Sequence, residues 1–225
     1  MKPMQTKKLT VTAVLMALAT VLALVSALIP FLHLPMGGGF TLASMLPIVI
    51  ISYMYGVRWG LFASFTYALI QIIMDLCLGT GGSVIMAMFM PQSDSYMGAL
   101  SAVFILLIDY FVAYTVLGLG GLFRNREGRK STNLILGILV ALGLRYAAHI
   151  LSGYIFYGAW AEWFFSQEGW LSGFGAWLMS HVSGQGLALI YSVLYNGLYM
   201  IPEIVITSLA AIPVASLRPI SRIDA

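Results

Sequence analysis

Residues 132–157 read TNLILGILVALGLRYAAHILSGYIFY, an almost wholly apolar run whose only basic side chains are Arg145 and His149. A helix needs about 20 mostly apolar residues to cross the hydrocarbon core of a bilayer, and this run meets that length. The same kind of stretch recurs on either side of it, at residues 9–29, 42–57, 59–79, 97–122 and 185–214. The second of these is the shortest and carries Pro47. Composition agrees: of 225 residues 60% are hydrophobic and 8% charged, with a mean hydropathy of +0.95. A soluble domain has about 25% charged residues, so these charges are too few to cover a water-facing surface. The expected fold is an all-α integral membrane protein, a single transmembrane domain over residues 1–225 with six transmembrane helices. The single cysteine, Cys77, excludes a disulfide framework and a multi-cysteine zinc site. Three histidines, His33, His149 and His181, leave little for a metal cluster, and no cofactor is expected.

The charges orient the bundle. Lys2, Lys7 and Lys8 precede the first stretch, and Arg58 follows the second. Arg124, Arg126, Arg129 and Lys130 precede the fifth, and Arg218 and Arg222 follow the sixth, so ten of the 11 basic residues fall on one side. The opposite connections hold Asp94, Glu162 and Glu168 and no Lys or Arg. The positive-inside rule then places both termini in the cytoplasm, whereas five spans would scatter the charges over both faces. The net charge of +3 thus reports topology and not a nucleic-acid partner. The first stretch is too long for a cleaved signal peptide and lacks a polar cleavage region. Residues 158–184 form the largest external piece and hold Trp160, Trp163, Trp170 and Trp177; they read as an interfacial aromatic belt or as a lid over an external cavity. Two local motifs fail. EGRKST at 127–132 lacks the first glycine and the preceding strand of a phosphate loop. HILSG and HVSG put serine near histidine without the separate helices and oxyanion hole of a seryl peptidase.

Ionisable groups inside a membrane are expensive and mark candidate sites. Arg145, His149, Gly153 and Tyr157 recur every four residues and climb about 18 Å along one slowly drifting face. They supply a cation, an imidazole, an exposed backbone and an aromatic ring. Arg145 either lines a site or pairs with an acid to join two helices. The fourth stretch offers that acid, Asp109, followed by Tyr110. In the sixth, Tyr191, Tyr195, Tyr199 and Glu203 share a stripe, with Asn196 beside it. Hydroxyls and an amide would bond a polar ligand while the rings cover its flat faces. Ala13 and Ala17 form a small-xxx-small pair that lets helices approach closely, within the fold or against a partner.

The segments LPMGGGFTLASMLPIVIIS, RYAAHILSGYIFYG and YSVLYNGLYMIPE resemble the thiamine-specific S component of energy-coupling factor transporters, over most of the chain. That resemblance implies a six-helix protein of the bacterial cell membrane with high affinity for thiamine in an externally facing pocket. It further implies partnership with a transmembrane coupling subunit and two ATPase subunits, so that the chain itself is no enzyme. Matched position by position, it implies substrate contacts from Asp109 (where the family usually has glutamate), Tyr110, Arg145 (often lysine), His149, Gly153, Tyr157 (often tryptophan), Tyr191 and Asn196, with Tyr55 taking another aromatic position. It also implies a coupling-subunit contact through Ala13 and Ala17. The shorter acid displaces the carboxylate by about 1.5 Å, one C–C bond. A stand-alone ion-coupled carrier is the alternative within transport, although no inverted repeat is visible. An intramembrane enzyme is a remote third, without a nucleophile–base pair or metal ligands.

Overall fold

In hydrocarbon a backbone must satisfy its own hydrogen bonds, and a helix does so locally. The computed structural model describes residues 3–34, 38–78, 84–93, 96–169 and 172–217; Lys2, Asp94, Trp170, Arg218 and Arg222, used in the charge and aromatic readings, lie outside the described residues. The helices are α1 (Pro3–Ala27), α2 (Leu46–Tyr55), α3 (Val57–Leu78), α4 (Val84–Phe89), α5 (Ala99–Gly121), α6 (Lys130–Phe156), α7 (Ala161–Ser166), α8 (Ser172–His181) and α9 (Gly184–Ala215). Among the described residues the only β-type pairing is an isolated bridge between His33 and Gly39. Five of the helices, α1, α3, α5, α6 and α9, are long and apolar enough to cross a membrane, and α2 is a shorter apolar helix. The protein is an all-α membrane protein built on these six helices. The small helices α7 and α8 pack on each other, and α7 also packs on α9.

α2 is short because the residues before it are claimed by polar side chains. Thr41 donates its backbone N–H to Glu203 Oε2 at 2.5 Å and its hydroxyl to the same carboxylate at 2.9 and 3.0 Å. Leu42 N–H donates to Ser26 Oγ at 2.9 Å. Glu203 lies well inside α9 and is only 1% exposed, so the chain between α1 and α2 dips into the bundle before turning helical. Pro47 opens α2, where its missing N–H costs nothing. A helix of 10 residues spans about 15 Å, and the dipping segment occupies the remaining depth.

At the end of the bundle carrying Lys8 and Arg124, four helices meet with almost no side chain between them. α5 tightens into a 3-10 turn over Val116–Gly121. There Ser52 of α2 donates its hydroxyl to the Gly118 carbonyl and accepts the Gly121 N–H at 2.9 Å. On α6, a Cβ at Gly137 would collide with the Gly120 carbonyl oxygen. Small residues allow this backbone approach where lipid supplies no hydrophobic drive. Tyr55 lies at this same end, with Lys8 Nζ 5.4 Å from its ring and 4.1 Å from Trp59. On α1, Met16 and Ala19 face the core, while Ala13 and Ala17 face outward beside Val14, Leu18 and Val21.

Gly137→Val should therefore overpack the α5–α6 contact and cost about 1–3 kcal/mol, read as a lower melting temperature of the detergent-purified protein. Gly143→Ala, on the same helix with open space at its Cβ position, should leave the melting temperature unchanged or slightly raised.

Candidate functional site

The interior polar groups gather in the half of the bundle away from Lys8, where α5, α6 and α9 face one another. α5 is not a regular α-helix there. Residues Leu106–Val112 form a π-helical stretch that contains Asp109 and Tyr110; such widened turns recur at functional sites because they re-aim side chains. Asp109 Oδ1 lies 2.7 Å from His149 Nδ1, and Oδ2 accepts the Ser152 hydroxyl at 2.6 Å. With Asp109 as a carboxylate, which only accepts, His149 donates from Nδ1. One acid on α5 is thereby tied to two side chains a turn apart on α6.

Arg145 does not take that acid. Its guanidinium carbon sits 4.0 Å over the Tyr114 ring, a cation–π contact in an interior where the side chain is 6% exposed. Arg145 Nε and Nη1 and His149 Nε2 are buried and find no hydrogen-bond partner among the described residues. Such orphaned donors and acceptors carry the full desolvation cost.

α6 and α9 form the most extensive helix pair. Gly153 and Asn196 serve it: a Cβ at Gly153 would run into the Ser192 hydroxyl. The Asn196 amide donates to Ser192 O at 2.8 Å and His149 O at 3.2 Å, and its carbonyl accepts the Tyr199 hydroxyl at 2.5 Å. Tyr199 also meets His149 edge to face, with centroids 5.8 Å apart. Toward the far end, Tyr191 and Tyr195 pack on Phe164 of α7, and Tyr157 bridges that cluster to the one formed by Met88, Ala102 and Ile105. An open groove of about 550 Å³ between the end of α6 and the start of α9 is lined by Tyr154, Gly158 and Gln185 and excludes the Asp109 cluster.

Asp109, His149, Asn196 and Tyr199 are thus brought together, with Arg145 alongside. Tyr110 lies on the same π stretch as Asp109, its ring 6.2 Å from that of Tyr114. Tyr55 is not brought to them; it lies at the Lys8 end. Ser152, Tyr114 and Thr41 join the interior network without having been singled out for it, whereas Glu203 already stood on the polar stripe of the sixth stretch. For Ser152 the signal was present: it follows His149 by three residues, on the same helical face.

Residues 9–170 match the family described as thiamine transporter protein (Thia_YuaJ). The chain belongs to that family. It is also 28% identical to the thiamine transporter ThiT of Bacillus subtilis (strain 168) over 206 residues, 88% of this chain and 84% of that protein. Family membership makes this a multi-pass membrane protein of thiamine transport. The family match ends before α9, so the contribution of Tyr191, Asn196 and Tyr199 rests on the packing just described.

Asn196→Ala should leave the Tyr199 hydroxyl without its acceptor and loosen the α6–α9 contact. A loss of about 1–3 kcal/mol is expected, measured as a melting shift without ligand.

Proposed function

We propose that the chain is the thiamine-binding membrane subunit of an energy-coupling factor transporter. In this reading thiamine enters from outside, is held between α5, α6 and α9 with high affinity, and is delivered inward in concert with a coupling subunit and two ATPase subunits. The chain would reside in the bacterial cell membrane with both termini in the cytoplasm, and the outward-facing Ala13 and Ala17 of α1 would meet the coupling subunit.

The observation that carries the proposal is the charge and shape of the interior. Asp109 and Glu203 are hydrogen-bonded at both of their oxygens. Arg145 is the one buried guanidinium among the described residues packed with them. These acids, with Asp75 close enough to Tyr110 to act on it, make an interior suited to a ligand that carries positive charge. Thiamine supplies it in the thiazolium ring, and its two flat rings suit the tyrosines at positions 110, 157, 191, 195 and 199. Ordered polar groups at Asp109, His149 and Ser152 suit the aminopyrimidine. Tyr191 and Asn196 would take the hydroxyethyl end.

Thiamine titrated into detergent-purified protein, followed by tryptophan fluorescence or calorimetry, should saturate below micromolar concentration. Absence of saturable binding in that range sinks the proposal. Asp109→Asn and His149→Ala should each weaken binding at least tenfold, about 1.4 kcal/mol, with melting temperatures near that of the parent. Uptake into vesicles should require the ATPase module. Robust uptake by this chain alone, abolished by a proton uncoupler, would instead identify a stand-alone carrier.

A further inference from the structure

The acid of the cluster has both oxygens engaged within the protein. Asp109 Oδ1 takes the His149 Nδ1 proton at 2.7 Å and Oδ2 takes the Ser152 hydroxyl at 2.6 Å. Ser152 is 1% exposed, His149 8% and the Asp109 side chain 19%, so both bonds lie largely away from bulk water. A carboxylate gripped at two points cannot rotate about its Cβ–Cγ bond without breaking one of them. A neutral imidazole with its proton at Nδ1 presents the Nε2 lone pair; which nitrogen a histidine presents is set by the bond the other makes. That Nε2 is buried and without a partner among the described residues.

We infer that Ser152 is a specificity-determining positioning residue: with Asp109 it locks His149 as an acceptor at Nε2, so that the site selects a heteroaromatic ring bearing an exocyclic amine over one bearing a carbonyl at that position. The inference deepens the thiamine reading and rests on it for the identity of the ring. An amine donates to Nε2. A carbonyl oxygen there would face a lone pair and leave two acceptors opposed in a buried site, the kind of mismatch by which polar pockets discriminate most strongly. Ser152 and Asp109 act through His149; the ligand-facing atom is Nε2.

The test compares thiamine with its 4-oxo analogue, in which the pyrimidine amine is replaced by a carbonyl, on the full-length protein in detergent. The parent should prefer thiamine by about 100-fold or more. Ser152→Ala should shrink that preference at least about tenfold while changing thiamine affinity less. Ser152→Cys keeps the volume but replaces a good donor with a weak one, and it should behave like Ser152→Ala. A parent-like preference in Ser152→Cys would show that Ser152 only fills space and would overturn the inference. Nitrogen-15 NMR of labelled histidine, with His149 assigned by loss of its signal in His149→Asn, gives a readout that needs no ligand. A proton on Nδ1 alone in the parent and a mixture of tautomers in Ser152→Ala are expected; a proton on Nε2 in the parent, or a parent-like spectrum in Ser152→Ala, overturns the proposal. Failure of thiamine to bind the parent would count against the transport reading alone, because the NMR result tests the locked tautomer by itself.

Discussion

Every interior polar group of this protein must be answered by another part of the same chain, because hydrocarbon supplies no hydrogen bonds. Glu203 shows what that constraint builds. A carboxylate buried inside α9 would be prohibitively costly alone, and it is answered by the backbone and hydroxyl of Thr41 and by Thr207 at 3.2 Å. Answering it requires the chain between α1 and α2 to enter the bundle, which in turn shortens α2. Ser26 and Ser52 repeat the logic on a smaller scale, accepting the N–H groups of Leu42 and Gly121. The dipping segment and the polar interior therefore stabilise each other, and neither is intelligible alone.

The two halves of the bundle divide the work between them. At the Lys8 end, helices approach closely through Gly60, Gly118, Gly120, Gly121 and Gly137, with the Val49 and Ser52 side chains packed between them. At the far end the contacts are made by side chains, chiefly Tyr157, Phe164, Tyr191 and Tyr195. Rings can turn and slide where backbones cannot. A rigid base beneath an aromatic upper half is the arrangement expected of a protein that must admit a flat organic cation without disturbing its frame. The polar cluster sits at the junction, held from below and bordered above by the adaptable rings.

Hydropathy made the long helices legible because membrane-spanning length is a local property, visible within 20 or so residues. The ionisable residues were legible for the same reason: Asp109, Arg145 and His149 stand out against apolar neighbours. Their partners were not. Ser152 reaches Asp109 across 43 positions and Thr41 reaches Glu203 across 162, and no periodicity encodes such pairs. Ser152 reads as an ordinary small residue in a packed helix until the π stretch of α5 is known. Gly153 and Asn196 stood out as ligand candidates, and the fold gives both a packing role between α6 and α9. Tyr55 shows the limit of local likeness. It precedes a glycine at a helix junction, as the resemblance requires, but the junction lies at the end where Lys8 covers the ring.

The pairing of Asp109 with His149 rather than with Arg145 depends on backbone geometry. Both basic residues lie on the same face of α6, four positions apart, and an acid on the neighbouring helix would be drawn first to the full charge of the guanidinium. An α-helix advances about 100° per residue, so the extra residue accommodated in the π stretch over Leu106–Val112 redirects Asp109 around the axis of α5. With that redirection the acid meets the imidazole and Ser152, while Arg145 is left to the Tyr114 face. Had Asp109 closed on Arg145, the charges would have cancelled inside the protein, and the site would have kept neither an oriented histidine nor an attraction for a cation. The π stretch carries Asp109 to His149 and Ser152, and Arg145 packs on Tyr114.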